Sequence, residues 1–260
     1  MKNNRIDEKA MQVFQRRALK NALSHDHVYH EIVSHLLMRL DYIRIAPSVI
    51  VNFAWHTGQM HSALQEKYPL AEIIDVTCVD ALKQLKENSV DCVIAHFAFF
   101  NAADPKLVIQ LCHYILREEG LLLFVECGPD TLQELRSSFL AADKNPHVHA
   151  FFDMHDVGDW MRSFSFADPV MDREMITLAY DRLDVFFKEL KAVGMMNAHP
   201  VRARGLLSKR QWQKMIAHYE TLKEDNYFPV SLELMYGHGW KVTTVPSDEV
   251  YISIDAIGRR

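Results

Sequence analysis

The turn after the first strand-like run carries the side chains that matter most for chemistry. It reads Asn52-Phe53-Ala54-Trp55-His56-Thr57-Gly58 and follows an apolar, β-branched run that begins at Ser48. A nucleotide-type cofactor needs a glycine-rich turn here, because the backbone must approach the ligand closely. Gly58 is the single glycine of this turn, and Trp55 and His56 stand where that approach would occur. The spacing alone fits a bulky turn packed on the core at least as well as a cofactor site.

Two carboxylates are associated with the second strand-like run, residues 72–77. Asp75 lies near the end of that run, where a carboxylate can accept hydrogen bonds from both hydroxyls of a ribose. Asp80 follows a few residues later and is placed to accept from an adenine amino group. Both residues also suit a turn or a helix cap, and the residues alone favour that role.

The other polar residues give weaker indications of a functional site. The chain has 14 histidines, but none shows HExxH spacing or a partner fixed by spacing, so no metal site is expected. No Ser/His/Asp arrangement or G-x-S-x-G turn is present. A basic cluster near a predicted helix start favours either a solvated surface or a dock for an acidic protein or a substrate carboxylate. Its members are Arg202, Arg204, Lys209 and Arg210.

Alternating strand-like and helix-like runs position these residues and predict a mostly parallel sheet with helices on both faces. Two helices are expected within residues 7–40, and Asp104 and Ser208 are expected to cap later ones, ending near Gly120 and Leu222. Ligands of such sheets lie at the carboxyl ends of the strands. The helix-rich stretch 179–222 is therefore predicted to be a lid over that edge. The predicted strands are residues 48–53, 72–77, 90–97, 121–125, 168–178, 230–236 and 250–254.

Composition limits the class of protein. The chain has 260 residues, 49% of them hydrophobic, which suits one α/β domain with elaborations. A net charge of -5 argues against a nucleic-acid protein that depends on bulk positive charge. No apolar run reaches the ~20 residues of a membrane span, and the first residues lack a secretory pattern, so a cytoplasmic protein is expected. The 4 cysteines form no CxxC pair and are expected to be buried free thiols.

Several segments together resemble one family. The amino-terminal helix carries Phe14-x-Arg16-x-Ala18, and the last matching segment reads Tyr236-Gly237-His238-Gly239-Trp240. Between them lie Gly128-Pro129-Asp130-Thr131-Leu132 and the stretch from Phe152 to Asp159. Over nearly its whole length the chain is similar to the malonyl-[acyl-carrier protein] O-methyltransferases of biotin synthesis, a family of class I S-adenosylmethionine methyltransferases.

The resemblance implies a Rossmann-like core, S-adenosylmethionine as methyl donor, and an acyl carrier protein or malonyl thioester as partner. The methylated group would be the free carboxylate of the malonyl thioester, which is already ionised at neutral pH and needs no catalytic base. The implied organisation is an N-terminal helical extension (1–45), a core (46–178 and 228–260) and a helical lid (179–227). Cofactor contacts are implied at Asn52, Gly58, Asp75, Asp80 and Ala95. Substrate or carrier contacts are implied at Phe14, Arg16, Asp153, His155, Arg202 and Arg204.

The chain departs from the family pattern on the cofactor side. The family's D-x-G-x-G-x-G turn keeps only Gly58, and the bulk of Trp55 and His56 is expected to fill the space of the methionine moiety. The interval from Gly58 to Asp91 is shorter by about one strand–helix unit of a ~30-residue βαβ repeat. An alternative is therefore a catalytically inactive protein that binds a carrier protein or pathway partner without the methyl donor. A hydroxylase similar to a mitochondrial complex I assembly factor is a third interpretation.

Overall fold

The computed structural model describes residues 6–21 and 27–242 of the chain, which form an α/β fold around one six-stranded sheet. The strands are β1 (Val49–Phe53), β2 (Glu72–Val76), β3 (Val90–His96), β4 (Leu116–Cys127), β5 (Phe166–Tyr180) and β6 (Phe228–Lys241). Their order is β2-β1-β3-β4-β6-β5. The first four strands are parallel, and β6 runs antiparallel to both β4 and β5. The mostly parallel sheet predicted from the alternating runs is confirmed.

Helices fill the connections. They are α1 (Glu8–Asn21), α2 (His27–Asp41), α3 (Gly58–Lys67), α4 (Val79–Leu82), α5 (Pro105–Ile115), α6 (Gln133–Ala142), α7 (Met154–Ser163), α8 (Leu183–Ala192) and α9 (Lys209–Glu220). Asp104 caps α5 by accepting from the backbone N–H groups of Lys106 and Leu107. Ser208 and Gln211 form a reciprocal capping box at the start of α9. Both predicted caps are confirmed.

Alternating strand residues divide the core into two layers. Ile50, Ile94 and Leu123 face a cluster that includes residues of α2, α3 and α6. Val51 and Phe124, which point the other way, face residues of α4, α5 and α7. Because successive strand side chains point to opposite faces, these apolar runs have to be covered on both sides, as the prediction of helices on both faces requires.

The stretch between β5 and β6 holds α8 and α9. Helix α8 packs against α1 and β5, whereas α9 packs against α6. Only α8 therefore reaches the region above the carboxyl ends of the parallel strands. The domain boundaries given by the resemblance remain predictions.

Three local expectations turn out differently or lie outside the described residues. Helix α5 ends at Ile115 rather than near Gly120, because Leu116 is already extended and pairs with Val90. Cys78 is exposed, while the other three cysteines are buried free thiols. The strand expected at 250–254 lies outside the described residues. Within the described ranges, no helix is long and apolar enough to cross a membrane.

A tight contact joins the exit of β4 to β6. Gly128 donates its backbone N–H to the Glu233 carbonyl at 2.9 Å, and the Glu233 carboxylate accepts from the backbone N–H of Asp130 at 2.7 Å. Thr131 Oγ1 donates to the Glu233 carbonyl and accepts from its N–H. A β-carbon at Gly128 would lie 2.4 Å from Glu233 Cδ. The segment from Gly128 to Thr131, here called the latch, therefore holds the end of β4 against Glu233 of β6.

Replacing Gly128 tests this latch. We expect Gly128→Ala to lower the free energy of unfolding by about 1–3 kcal/mol, because the added methyl group overpacks a buried contact. Gly58→Ala is the matched control: nothing lies within 4 Å of a β-carbon at this exposed first residue of α3. It should leave the stability unchanged or raise it by up to about 1 kcal/mol. Urea unfolding followed by circular dichroism measures both; equal effects of the two substitutions would contradict the latch.

Candidate active site

A cleft opens at the carboxyl ends of β1, β2 and β3, beneath α1. Its volume is about 320 Å³, within the range of small-molecule sites. Helix α1 contributes a polar wall with Glu8, Gln12 and Gln15. Strand ends and following turns complete the lining, which includes Phe53, Trp55, Thr77, Cys78, Asp80, Lys83, Phe97, Asn101 and Asp104.

A second cavity, here called the chamber, lies between α8 and the sheet. Its volume is about 90 Å³, and most of its surface is apolar. Helix α8 supplies Phe186 and Leu190, the segment after it supplies Met195, and β6 supplies Leu232 and Leu234. Glu189, whose carboxylate accepts from the Tyr180 hydroxyl at 2.6 Å, is on its wall. No lysine or arginine occurs among the described residues that line it.

Trp55 and Phe97 line both the cleft and the chamber. Trp55 also lies beside Gly194, just after α8, since a β-carbon at Gly194 would lie 3.5 Å from the Trp55 Cζ2 atom. His56 lines the chamber and is not part of the cleft lining. Trp55 of the bulky turn and Phe97 of the turn after β3 therefore lie at the boundary between the two cavities.

Buried hydrogen bonds hold this turn in place. The Asn52 amide nitrogen donates to the Thr57 carbonyl at 3.0 Å and to Asp75 Oδ1 at 2.7 Å. Its oxygen therefore accepts from His96 Nε2 at 3.0 Å, and His96 Nδ1 accepts from the Tyr29 hydroxyl at 2.5 Å. Burial lowers the pKa of His96 to about 3, so the ring is neutral near neutral pH. The network ties β1 to β2, β3 and α2.

The implied cofactor residues separate into two groups. Asp80 lines the cleft, where its carboxylate lies 3.0 Å from Lys83 Nζ. Asp75 is bonded to Asn52, with its second oxygen 3.0 Å from His61 Nδ1. The remaining four implied positions, Asn52, Gly58, Asp75 and Ala95, do not line the cleft.

The acceptor-side residues also separate. Phe14, Arg202 and Arg204 line an open groove along α1, together with Asp7 and other residues. Arg202 donates to Asp7 Oδ2 at 3.0 Å, whereas Arg204 is 77% exposed and 3.9 Å from the same atom. Arg16 is exposed on α1 and lines none of the cavities described here.

Asp153 and His155 lie elsewhere, at the exposed start of α7. Asp153 caps this helix by accepting from the backbone N–H of His155 at 2.8 Å, and the two side chains are 2.7 Å apart. Neither residue lines the cleft, the chamber or the groove. The structure gives them a capping role.

Sequence reasoning missed several residues that line the two cavities or support the turn between them. Tyr29 and His96 are far from each other in sequence, and only the folded sheet and α2 bring them to the turn after β1. Glu8 and Gln12 reach the cleft because α1 crosses it. In the described ranges, no three His, Cys, Asp or Glu side chains are grouped as metal ligands.

Glu126 organises the turn that leads from β3 into the cleft. Its side chain is 2% exposed and accepts from the backbone N–H of Phe99 at 2.6 Å and of Phe100 at 3.4 Å. Burial raises the pKa of Glu126 to about 8, although these backbone bonds act in the opposite direction. The carboxyl group is therefore mainly protonated at neutral pH.

This raised pKa predicts a pH-dependent stability. The folded chain holds a proton on Glu126 that the unfolded chain releases above its ordinary pKa, so stability falls as the pH rises from about 4.5 to about 8. We expect Glu126→Gln to remove this part of the pH dependence, because the neutral amide keeps the shape and an acceptor oxygen. Urea unfolding at about pH 5 and about pH 8 measures it. Equal loss of stability in both proteins would contradict the assignment.

Comparisons with known proteins agree with this geometry. A family model described as a methyltransferase domain matches residues 55–124. The structure of a protein assigned as a methyltransferase from Bacillus halodurans superposes with a TM-score of 0.53 at 12% identity, covering 81% of this chain and 99% of that one. This likeness shows the class I methyltransferase fold.

Sequence relatives define the family. Malonyl-[acyl-carrier protein] O-methyltransferase 1 of Coxiella burnetii is 36% identical over 250 residues, 88% of each chain. The malonyl-[acyl-carrier protein] O-methyltransferase of Gallionella capsiferriformans is 34% identical over 266 residues, 91% of each chain. This chain belongs to the malonyl-[acyl-carrier protein] O-methyltransferase family.

Proposed function

We propose that this chain methylates the free carboxylate of a malonyl thioester carried by an acyl carrier protein, with S-adenosylmethionine as methyl donor. The names of its relatives give the reaction. The observation that supports it here is the pair of cavities that meet at Trp55 and Phe97. A polar cleft for the donor and an apolar chamber for the acceptor would bring their reactive groups together at the boundary beside these two rings.

The cleft fits the donor. Its volume of about 320 Å³ suits a small nucleoside ligand, and the carboxylates of Asp80 and Glu8 can accept from hydroxyl and amino groups. The rings of Trp55 and Phe97 favour a neighbouring cation. When bound, S-adenosylmethionine supplies a methyl group made electrophilic by its sulfonium charge.

The chamber fits the acceptor chemistry. A malonyl carboxylate is ionised near neutral pH and is itself the nucleophile, so no residue has to remove a proton. Apolar walls strip water from the carboxylate, and opposite charges cancel as the methyl group moves. An apolar site therefore favours the transition state over separated ions in water. The lid residues Phe186 and Leu190 exclude water from above.

The groove beside α1 is the proposed dock for the carrier protein. Lys9, Arg202 and Arg204 bring positive charge to it, which suits an acidic partner. Asp7 neutralises Arg202 and orients the loop, while Arg204 remains mostly exposed. Arg204 thus offers the accessible charge.

A second candidate function is binding without catalysis. It is favoured by the Asn52–Asp75 hydrogen bond, which satisfies within the protein two groups that the resemblance assigns to the cofactor. In this reading the chain keeps the carrier-binding surface and does not use the methyl donor.

Titration calorimetry with S-adenosylmethionine separates the two functions. We expect binding, weakened about tenfold by Asp80→Asn, because a charged acceptor in the cleft is lost. Asp159→Asn is the matched control and should change the dissociation constant by less than about twofold, since Asp159 is exposed on α7 and does not line the cleft. No binding to the folded protein at millimolar ligand would favour the inactive scaffold.

Carrier-protein docking gives a further prediction. Arg204→Ala should raise the dissociation constant for an acyl carrier protein about two- to fivefold, as expected for one exposed charge. Arg162→Ala on α7 removes a similarly exposed charge far from the groove and serves as control. A titration in which both variants bind like the parent protein would remove the groove from the proposal.

A further inference from the structure

A third cavity, here called the rear cavity, lies behind the lid. Its volume is about 100 Å³. It is lined by residues of α6, the connection from α6 to α7, α8 and the segment after α8, among them Phe139, His149, Phe187, Met196 and Asn197. Leu132, Leu190 and Met195 line both this cavity and the chamber.

The three cavities therefore lie next to one another in series. The cleft meets the chamber at Trp55 and Phe97, and the chamber meets the rear cavity at Leu132, Leu190 and Met195. Nothing in the proposed reaction yet uses the rear cavity. Each of the two inner cavities is smaller than the ~150 Å³ that holds a benzene ring, so neither admits a ring-sized group.

We propose that the rear cavity and the chamber form the path by which a thioester-bearing pantetheine arm reaches Trp55. This inference rests on the proposed function and names the route of its acceptor. The arm enters beside Met196 and Asn197, passes Leu190 and Met195, and presents its acyl end to the cleft.

The mouth of the path suits such an arm. Lys191 lines the rear cavity, is exposed at the end of α8, and can pair with a phosphate. The Asn197 side chain is fixed by bonds to the Pro146 carbonyl and the His199 N–H. His149 accepts from the Ala198 N–H at 3.2 Å, and burial lowers its pKa to about 4, so it adds no charge. These bonds hold the entrance loop in one position.

The groove and the rear cavity lie on one continuous segment. Arg202 belongs to the groove, and Met195 to Asn197 belong to the rear cavity. A carrier protein docked on the groove would thus release its arm next to the entrance.

Calorimetric titration with malonyl-pantetheine, in the absence of methyl donor, tests the path. We expect Met196→Trp, which plugs the rear cavity, to weaken binding at least about tenfold. Val13→Trp adds a similar bulk to the groove and should change the affinity by less than about twofold. The opposite pattern, or equal affinities in all three proteins, would overturn the path.

A substitution at the exposed residue Lys191 tests the same path without changing the packing of the core. Lys191→Glu should weaken malonyl-phosphopantetheine at least about fivefold and leave malonyl-pantetheine within about twofold. Equal binding of both ligands to parent and variant would overturn the assignment of the entrance. A parent protein that binds S-adenosylmethionine but no malonyl-pantetheine would overturn the path and leave the donor assignment intact.

Discussion

The Asn52 amide is 0% exposed at the end of β1, where an unpaired polar group would cost about 1–3 kcal/mol. It is satisfied by Thr57, Asp75 and His96, which belong to three different parts of the chain. The turn after β1 can take only the conformation that makes all these bonds. That conformation places Trp55 between the cleft and the chamber. The geometry of both cavities therefore depends on one buried side chain that contacts no ligand in the proposed reaction.

Features set by neighbours in the chain could be predicted from the sequence. The Asp104 and Ser208 caps involve backbone groups within three residues, and the strand runs follow from local apolar pattern. The end of α5 could not, because Leu116 is paired with Val90 of β3 and its carbonyl accepts from Lys241 Nζ, a residue more than a hundred positions away. The helical pattern of the sequence continues beyond Ile115, although from Leu116 onward the backbone belongs to β4 and pairs in the sheet.

The candidate site also combines features that neighbouring residues determine with features that distant residues determine. Asp75 and Asp80 look equivalent in sequence, as carboxylates near the end of one strand. The side of β2 on which Asp75 lies is decided by its pairing with Asn52 in β1, and this leaves Asp80 to face the cleft. Asp153 and His155 carry a family-like motif, yet their partners are each other. Similarity of motif alone does not distinguish a helix cap from a ligand contact.

The position of β2 at the margin of the sheet affects how copies of the chain meet. Within the described residues no strand lies beyond β2, so its outer backbone groups form a template for edge-to-edge pairing. Two features oppose this association: the strand has only 5 residues, and Glu72 places an exposed carboxylate on it. Two such margins brought together would set like charges against each other. The short, charged edge strand β2 thus disfavours aggregation through this edge of the sheet.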